Sequence, residues 1–442
     1  MTIPTIRTAA APLAAMAIFS ATTLTAAGAD LGADVGGGCC SALEERIAEL
    51  EATTARKGTR KVTLTISGYI AQELTVWDDG KETNAYLHGM GSTQASHLKL
   101  SGQAVIAPGW AAGYTMRLQN LDDNPFARSG TSAMNQANDN FSQGLNVQMS
   151  FWYVDSKEYG KLSVGRMANA AKSVVMFTDQ SGTQVIDNYT FLAGFPQFVL
   201  RSDGDLTPAV TWGNVAFCYS QNLPFGGDCN GIVMNGVRYD TPAVGGFSAA
   251  ASWGEDDFWE VAGRYAGETS GFKVSLGIGY SEMTDENTTG AAVMNDKHSA
   301  CFQAGGYLQH LATGLFLHGA YGHEDNGDRP VFNAGVNVGP DKAGEHWYVK
   351  SGVRQKWLPL GATIVYGDYA EYYDQLGPAA LANGATSSEL KRYGGGVAQE
   401  LDSAAMTVYL KYQHYDAEIA GAPALTDLDA LDLWSAGGLI NF

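Results

Sequence analysis

The sequence predicts an all-β chain: a transmembrane antiparallel β-barrel of about 16 strands, preceded by a signal peptide and a short N-terminal periplasmic helix. Three observations predict it: a long two-residue alternation in the first strand-forming stretch, its recurrence in pairs, and an alternation of short with long connections. In Lys61–Trp77, Val62, Leu64, Ile66, Ile70, Leu74 and Val76 share one parity, while Thr63, Thr65, Ser67, Tyr69, Glu73 and Thr75 share the other. That is the period of a strand with one apolar and one polar face. The run exceeds the roughly 5–6 residues typical of strands in soluble sheets, and it suits a wall with lipid on one side and water on the other.

Residues 1–29 carry Arg7, an apolar run of small residues and an Ala27-Gly28-Ala29 site before Asp30, the layout of a secretory signal peptide. Thr22, Thr23 and Thr25 interrupt the run, which argues against a helical anchor. Residues 30–60 read as a linker and one helix. Ser41 with Glu44 forms a capping box, Leu43, Ile47 and Leu50 make an apolar stripe, Arg56 and Lys57 sit at the negative end of the helix dipole and Gly58 stops it. Three such helices associating beneath a trimer, or one helix packed alone, both fit this pattern. Gly36-Gly37-Gly38-Cys39-Cys40 is a poor lipoprotein signal, because Gly36 stands where such a site carries leucine; bonds between chains and free thiols are the alternatives for Cys39 and Cys40.

Composition excludes several classes. A formal charge of −19 speaks against a nucleic-acid partner. In a barrel, lumen-facing residues alternate with lipid-facing ones, so average hydropathy conceals the membrane surface. The eight histidines are scattered, and no nucleophile, base and orienting group converge in sequence as a hydrolase needs. Neither a cofactor nor a metal motif is present; Asp285–Asp296 has some EF-hand offsets but lacks the terminal Glu, and reads as an outer loop.

From residue 61 to 442 the strand pattern repeats. His97–Ile106 and the stretch from Trp110 flank a tight Pro108-Gly109 turn. Further segments follow at 145–154, 161–165, 231–239, 247–253, 259–265, 272–280, 299–309, 315–321, 346–357, 362–369, 393–400, 406–413 and 433–442, giving about sixteen, an even number as in bacterial barrels. Short turns (107–109, 156–160, 240–246, 266–271, 311–314, 358–361, 401–405) alternate with long polar loops (78–95, 121–144, 281–298, 322–345, 370–391, 414–432), as expected of periplasmic and outer connections. Glu73, Lys99, Arg117, Glu260, Arg264, Lys273, Lys350, Arg354 and Lys411 all fall opposite the apolar parity; a mid-plane Lys or Arg facing lipid costs roughly 2–4 kcal/mol. Trp77, Trp110, Trp253, Tyr265 and Tyr280 are expected in an interfacial girdle.

One connection, about 166–230, is too long for a hairpin loop. It is expected to fold inward and narrow the channel, with acidic Asp179, Asp187, Asp203 and Asp205 facing a basic wall of Lys99, Arg117, Arg264, Lys350, Arg354 and Lys411. Such opposed charges favour hydrated polar solutes. Thr207–Tyr219 has strand character of unassigned pairing. Cys218 and Cys229 are expected to form a disulfide within this loop, leaving Cys301 as a buried strand thiol.

The stretches YGKLSVGR, NGVRYDTPAVGGFSAAASWGEDD, LGATIVYGDY and QELDSAAMTVYLKYQHYD, with LEERIAELEATTARKG before the first strand and a terminal Phe442, resemble the trimeric general porins of alphaproteobacterial outer membranes. The resemblance covers the mature chain. It implies sixteen strands, homotrimers, constriction by the third outer loop and passive diffusion of small hydrophilic solutes and ions. It also implies outer-membrane lipid and lipopolysaccharide as surroundings, and a C-terminal aromatic, Phe442, read by the barrel-insertion machinery. The loop around Phe191–Phe198 departs from the family in being less acidic. A solute-specific channel and a surface adhesin on a barrel scaffold are the alternative functions.

Overall fold

The computed structural model describes residues 62–90, 95–120, 145–188, 198–219, 226–229, 233–255, 257–285, 297–327, 330–334, 336–340 and 343–442. The signal peptide, the linker, the helix at Ser41–Gly58 and most of Asp285–Asp296 lie outside them.

Sixteen strands form the wall: β1 (Thr65–Asp78), β2 (His97–Ala107), β3 (Trp110–Asn120), β4 (Leu145–Ser156), β5 (Gly160–Ala168), β6 (Val233–Asp240), β7 (Phe247–Gly254), β8 (Trp259–Thr269), β9 (Phe272–Asp285), β10 (Lys297–His310), β11 (Leu315–Asp325), β12 (Gly344–Leu358), β13 (Gly361–Tyr373), β14 (Ser387–Leu401), β15 (Met406–Ala420) and β16 (Leu431–Asn441). Each pairs antiparallel with its sequence neighbour, and β16 pairs with β1 from Tyr69↔Asn441 to Asp78↔Asp432. The sheet is therefore closed and leaves no edge to satisfy in lipid. Phe442 extends this seam, its N–H donating to Gly68 O at 3.1 Å while Gly68 N–H donates to Phe442 O at 2.9 Å.

Turn chemistry fixes the short end. Thr269 pairs with Phe272, and Ser270 and Gly271 between them have φ of 50° and 82°, the double positive φ that two-residue hairpins need to match strand twist. The long end carries more regular structure than periodicity suggests. β14 begins at Ser387 rather than Tyr393, and β15 runs on to Ala420 past Gln413. Beyond the lipid both faces are wet, so alternation fades while the hydrogen-bond ladder continues.

Parity holds around the wall. Ile66, Ile70 and Leu74 of β1 are exposed on the outside with Leu276, Ile278, Leu315, Leu317 and Leu410 of later strands, whereas Glu73, Glu260, Lys350 and Lys411 are buried on the inside. Trp77 departs from the expected girdle. It has the inward parity, is fully buried, and packs edge-on against Phe198 of the long loop at 5.0 Å. Trp110 and Trp253 do face outward.

The long connection from β5 to β6 enters the barrel. Its second half forms a hairpin, Val199–Ser202 with Asp205–Thr211, followed by a single turn at Trp212–Val215. The strand character of Thr207–Tyr219 is thus spent within the loop. Phe198, Val210, Trp212 and Val215 join Trp77, Tyr372, Tyr415 and Leu433 in one buried apolar cluster, so the outer part of the lumen on this side is packed.

Candidate functional site

The first half of the loop lies against the inner wall, and two kinds of residue let it do so. One is the absence of side chain. A Cβ at Gly277 of β9 would sit 2.6 Å from Val174 O, one at Gly279 would sit 2.8 Å from Val174 Cγ1, and one at Gly305 of β10 would sit 2.4 Å from Val175 Cγ1. These glycines bare the wall under Ala171–Thr178, so the loop can sit flush against it.

The other is cations that satisfy loop carbonyls, which have no ladder partners of their own. Arg238 donates to Ala168 O and Asn169 O at 2.9 and 3.1 Å, and Arg264 donates to Ala170 O at 2.6 Å. Further along, Lys411 donates to Ile186 O at 3.0 Å, Lys350 to Asp187 O at 2.7 Å and Arg392 to Asn188 O at 2.7 Å. Acceptors on the wall do the same for loop N–H groups: Ser252 Oγ takes Ala170 N–H at 2.9 Å and Glu260 takes Ala171 N–H at 2.6 Å.

Lys350 is fully buried. Its ammonium has three donors, and they meet Asp179 Oδ2 at 2.9 Å, Thr183 Oγ1 at 2.9 Å and Asp187 O. Arg392 binds both Asp187 and Asp368, and Asp187 also accepts from Gln413 at 3.0 Å and Tyr366 at 3.1 Å. Every charge in this cluster is removed from water, which is tolerable only because each is paired and hydrogen-bonded. Lys411 is likewise buried against Glu73 at 3.1 Å, with Tyr409 donating to the same carboxylate at 2.9 Å.

The expected basic wall and acidic loop are thus brought together in part. Lys350, Lys411, Asp179 and Asp187 meet beneath the loop, out of contact with solvent. Arg264 supports the loop's start, and Arg354 forms a half-exposed pair with Glu400 at 2.7 Å. Lys99 and Arg117 stand opposite each other on β2 and β3, with Arg117 also bonded to His97 at 3.1 Å. Asp203 and Asp205 lie exposed near the tip of the loop hairpin, where Asp203 N–H bonds Asp427 O of the β15–β16 loop at 3.3 Å. On the loop itself Phe177, Gln180 and Gly182 are the exposed positions of Ala171–Asn188. The sequence pattern does not mark Arg392, and it leaves Asp368 ambiguous. Arg392 falls just before the detectable alternation of its strand, though it shares the inward parity of Ala398; Asp368 lies in a stretch with tyrosine on both faces.

A disulfide joins Cys218 and Cys229 within the loop, and Cys301 is buried on β10.

The family described as Gram-negative porin matches residues 12–420. This chain belongs to that family. The porin is an outer-membrane β-barrel channel for passive diffusion of small hydrophilic solutes. Its fold is similar to that of an anion-selective porin from Comamonas acidovorans (14% identity, TM-score 0.55, covering 86% of this chain and 100% of that one). It is also similar to OmpF of Salmonella typhi (15%, 0.52, 87% and 99%) and to OmpT of Vibrio cholerae in a trimer form (13%, 0.51, 86% and 99%). No curated protein matches the porin in sequence.

The cluster gives the porin an acid limit. Burial works to raise the Asp179 carboxyl, but Lys350, His318 and the hydrogen bonds from Ser181 and Lys350 outweigh it and hold the group below the usual carboxylate range. A carboxylate with a depressed folded value contributes stability that is complete above its unfolded value, about 3.9, and is lost as pH falls through the folded one. The Asp179 carboxylate is expected to keep its bond to Lys350 from neutral pH down to about 4 and to release it only below that, which a carbon-13 titration of this carboxyl would register. A transition centred above pH 5 would contradict this assignment.

Proposed function

We propose that the porin is a non-enzymatic homotrimeric pore whose neck lies between the loop face at Phe177–Gly182 and the wall carrying Lys99 and Arg117, and that this neck favours anions. The observation that carries the proposal is the burial of Asp179 and Asp187 under Lys350 and Arg392. The loop then offers the lumen an aromatic and an amide, while Lys99 and Arg117 keep positive charge on strands away from the loop's anchors on β6–β15. A low-dielectric neck lined by one sign of charge concentrates the opposite ion. Asp203 and Asp205 act at the outer loops rather than at the neck. Lipopolysaccharide surrounds the outer rim, and Phe442 is the residue the barrel-insertion machinery reads.

Reversal potentials in planar bilayers across a potassium chloride gradient test this reading. The wild-type porin is expected to show the sign of chloride preference, and the Lys99→Glu, Arg117→Glu pair to shift it toward potassium. A cation-selective wild type, or a double variant with unchanged potential, would remove the assignment. Native electrophoresis of the unheated protein after cross-linking is expected to give a species of three chains.

A further inference from the structure

Met176, Phe177 and Thr178 make one tight turn in the wall-bound half of the loop, and the turn divides them. Met176 and Thr178 are buried, with Thr178 Oγ1 donating to Val175 O at 2.7 Å and meeting His318 of β11 at 3.0 Å. Phe177 between them is 57% exposed. This stretch of loop is bonded to inward-facing wall residues on either side, Glu260 at Ala171 and Lys350 at Asp179. A ring turned away from that wall is therefore turned toward the lumen.

The turn is held before and after the ring. Val174 and Val175 lie flush over Gly277 and Gly305, Phe177 N–H donates to Ser173 O at 3.0 Å, and Asp179 pairs with Lys350 at 2.9 Å. The ring stands on a fixed backbone, so a solute that stacks on it orders little else in the protein. Single exposed apolar side chains are ordinary on the outside of a protein. Inside a neck an anchored ring differs, because every passing solute must come near it.

Gln180 and Gly182, the other exposed positions of this face, carry no charge, and Gln180 Nε2 turns back to donate to Phe177 O at 3.1 Å. The charge belongs to the strands that the loop is not anchored to. Lys99 of β2 is exposed and stands across the ladder from Arg117 of β3. Arg117 is steadied by its bond to His97 at 3.1 Å, and the His97 ring meets Tyr69 edge-on at 4.4 Å.

We infer that the neck prefers organic anions carrying an aromatic ring beside their charge, and that Phe177 is the residue that sets this preference. The inference rests on the anion-favouring neck proposed above and names the solute class for it. A small inorganic anion meets only Lys99 and Arg117, and an uncharged aromatic meets only the ring. An aromatic sulfonate or carboxylate engages both, its charge toward the cations and its ring on Phe177 in offset or edge-to-face contact.

Blockade of the potassium chloride current through single channels, by benzenesulfonate and by methanesulfonate, tests this. The two probes share a headgroup and differ in the ring. Benzenesulfonate is expected to reach half-block at a concentration about 2- to 10-fold lower, the gain typical of one aromatic pair. Taking the ratio of the two probes within each variant cancels any change in conductance. Phe177→Ala should bring the ratio close to one, Phe177→Leu, which keeps apolar bulk, should lower it, and Phe177→Tyr should retain it. Equal half-blocking concentrations in the wild type overturn the inference. So does a ratio undiminished in both the Ala and Leu variants, which would place the ring preference elsewhere in the lumen. The reversal potential of the same wild-type channels separates this inference from the reading beneath it. Chloride sign with a ratio of one leaves the anion-favouring neck standing and removes only the role of Phe177. Potassium sign removes the anion reading, and this inference with it, at any ratio.

Discussion

Arg392→Leu is expected to detach the tip of the inward loop while leaving the barrel closed. Arg392 is fully buried and is bonded to Asp187, Asp368 and Asn188 O. Removing it strands two carboxylates in a site with little water, and breaking a buried pair in this way costs about 3–5 kcal/mol. The wall is held by ladder hydrogen bonds on both sides of β14, so the loss falls on the loop. Native porin should become cleavable by protease within the loop, and single-channel records should show larger current fluctuations, with heat-modifiable mobility of the barrel unchanged. Lys356→Met is the control. Its pair with Asp402 is exposed on both sides, 71% and 55%, and exposed pairs of this kind contribute about 0–1 kcal/mol. Equal behaviour of the two variants would show that the buried cluster does not anchor the loop.

Trp212→Ala is expected to free the loop's second half. Trp212 is 1% exposed, its backbone N–H bonds Phe198 O at 2.9 Å, and its ring lies 6.2 Å from that of Tyr415. Truncating a buried Trp to Ala costs about 3–5 kcal/mol through lost transfer energy and the cavity left behind. Nearby, Asn214 O accepts from Gly377 N–H at 2.8 Å, Gln375 O accepts from Phe217 N–H at 3.0 Å, and Tyr219 Oη donates to Leu376 O at 2.8 Å. These contacts tie the segment to the β13–β14 loop. Loss of the apolar core should weaken them together, which hydrogen exchange of 198–219 would register as faster exchange. The ionic anchor at Lys350 and Arg392 should be unaffected, and protection there should persist. Faster exchange throughout the loop would mean that the two halves are one cooperative unit.

The two anchors differ in how visible they were beforehand. Lys350, Lys411, Asp179 and Asp187 were legible as opposed charges because their strand parity and loop position show in the chain. Their meaning was not. A cation on the inward face reads equally as a pore lining or as a strap under a loop, and only the loop's path separates the two. Trp77 was misplaced for a related reason: an aromatic near a strand end fits a membrane girdle, but inward parity and the arrival of Phe198 gave it a dry partner. The glycines at 277, 279 and 305 look like ordinary strand glycines until Val174 and Val175 are laid over them.

Sequence by itself determined the barrel, because lipid and water impose a two-residue period on every strand, and the contrast of short and long connections follows from the two sides of the membrane. It also marked the one connection too long to be a hairpin and the cysteine pair within it. Tertiary structure alone decided which charges are buried and which remain in the lumen. A charge's environment depends on what packs over it from distant parts of the chain, here a loop folded back across strands up to 226 residues away, as in the bond from Gln413 to Asp187, and no local period records that.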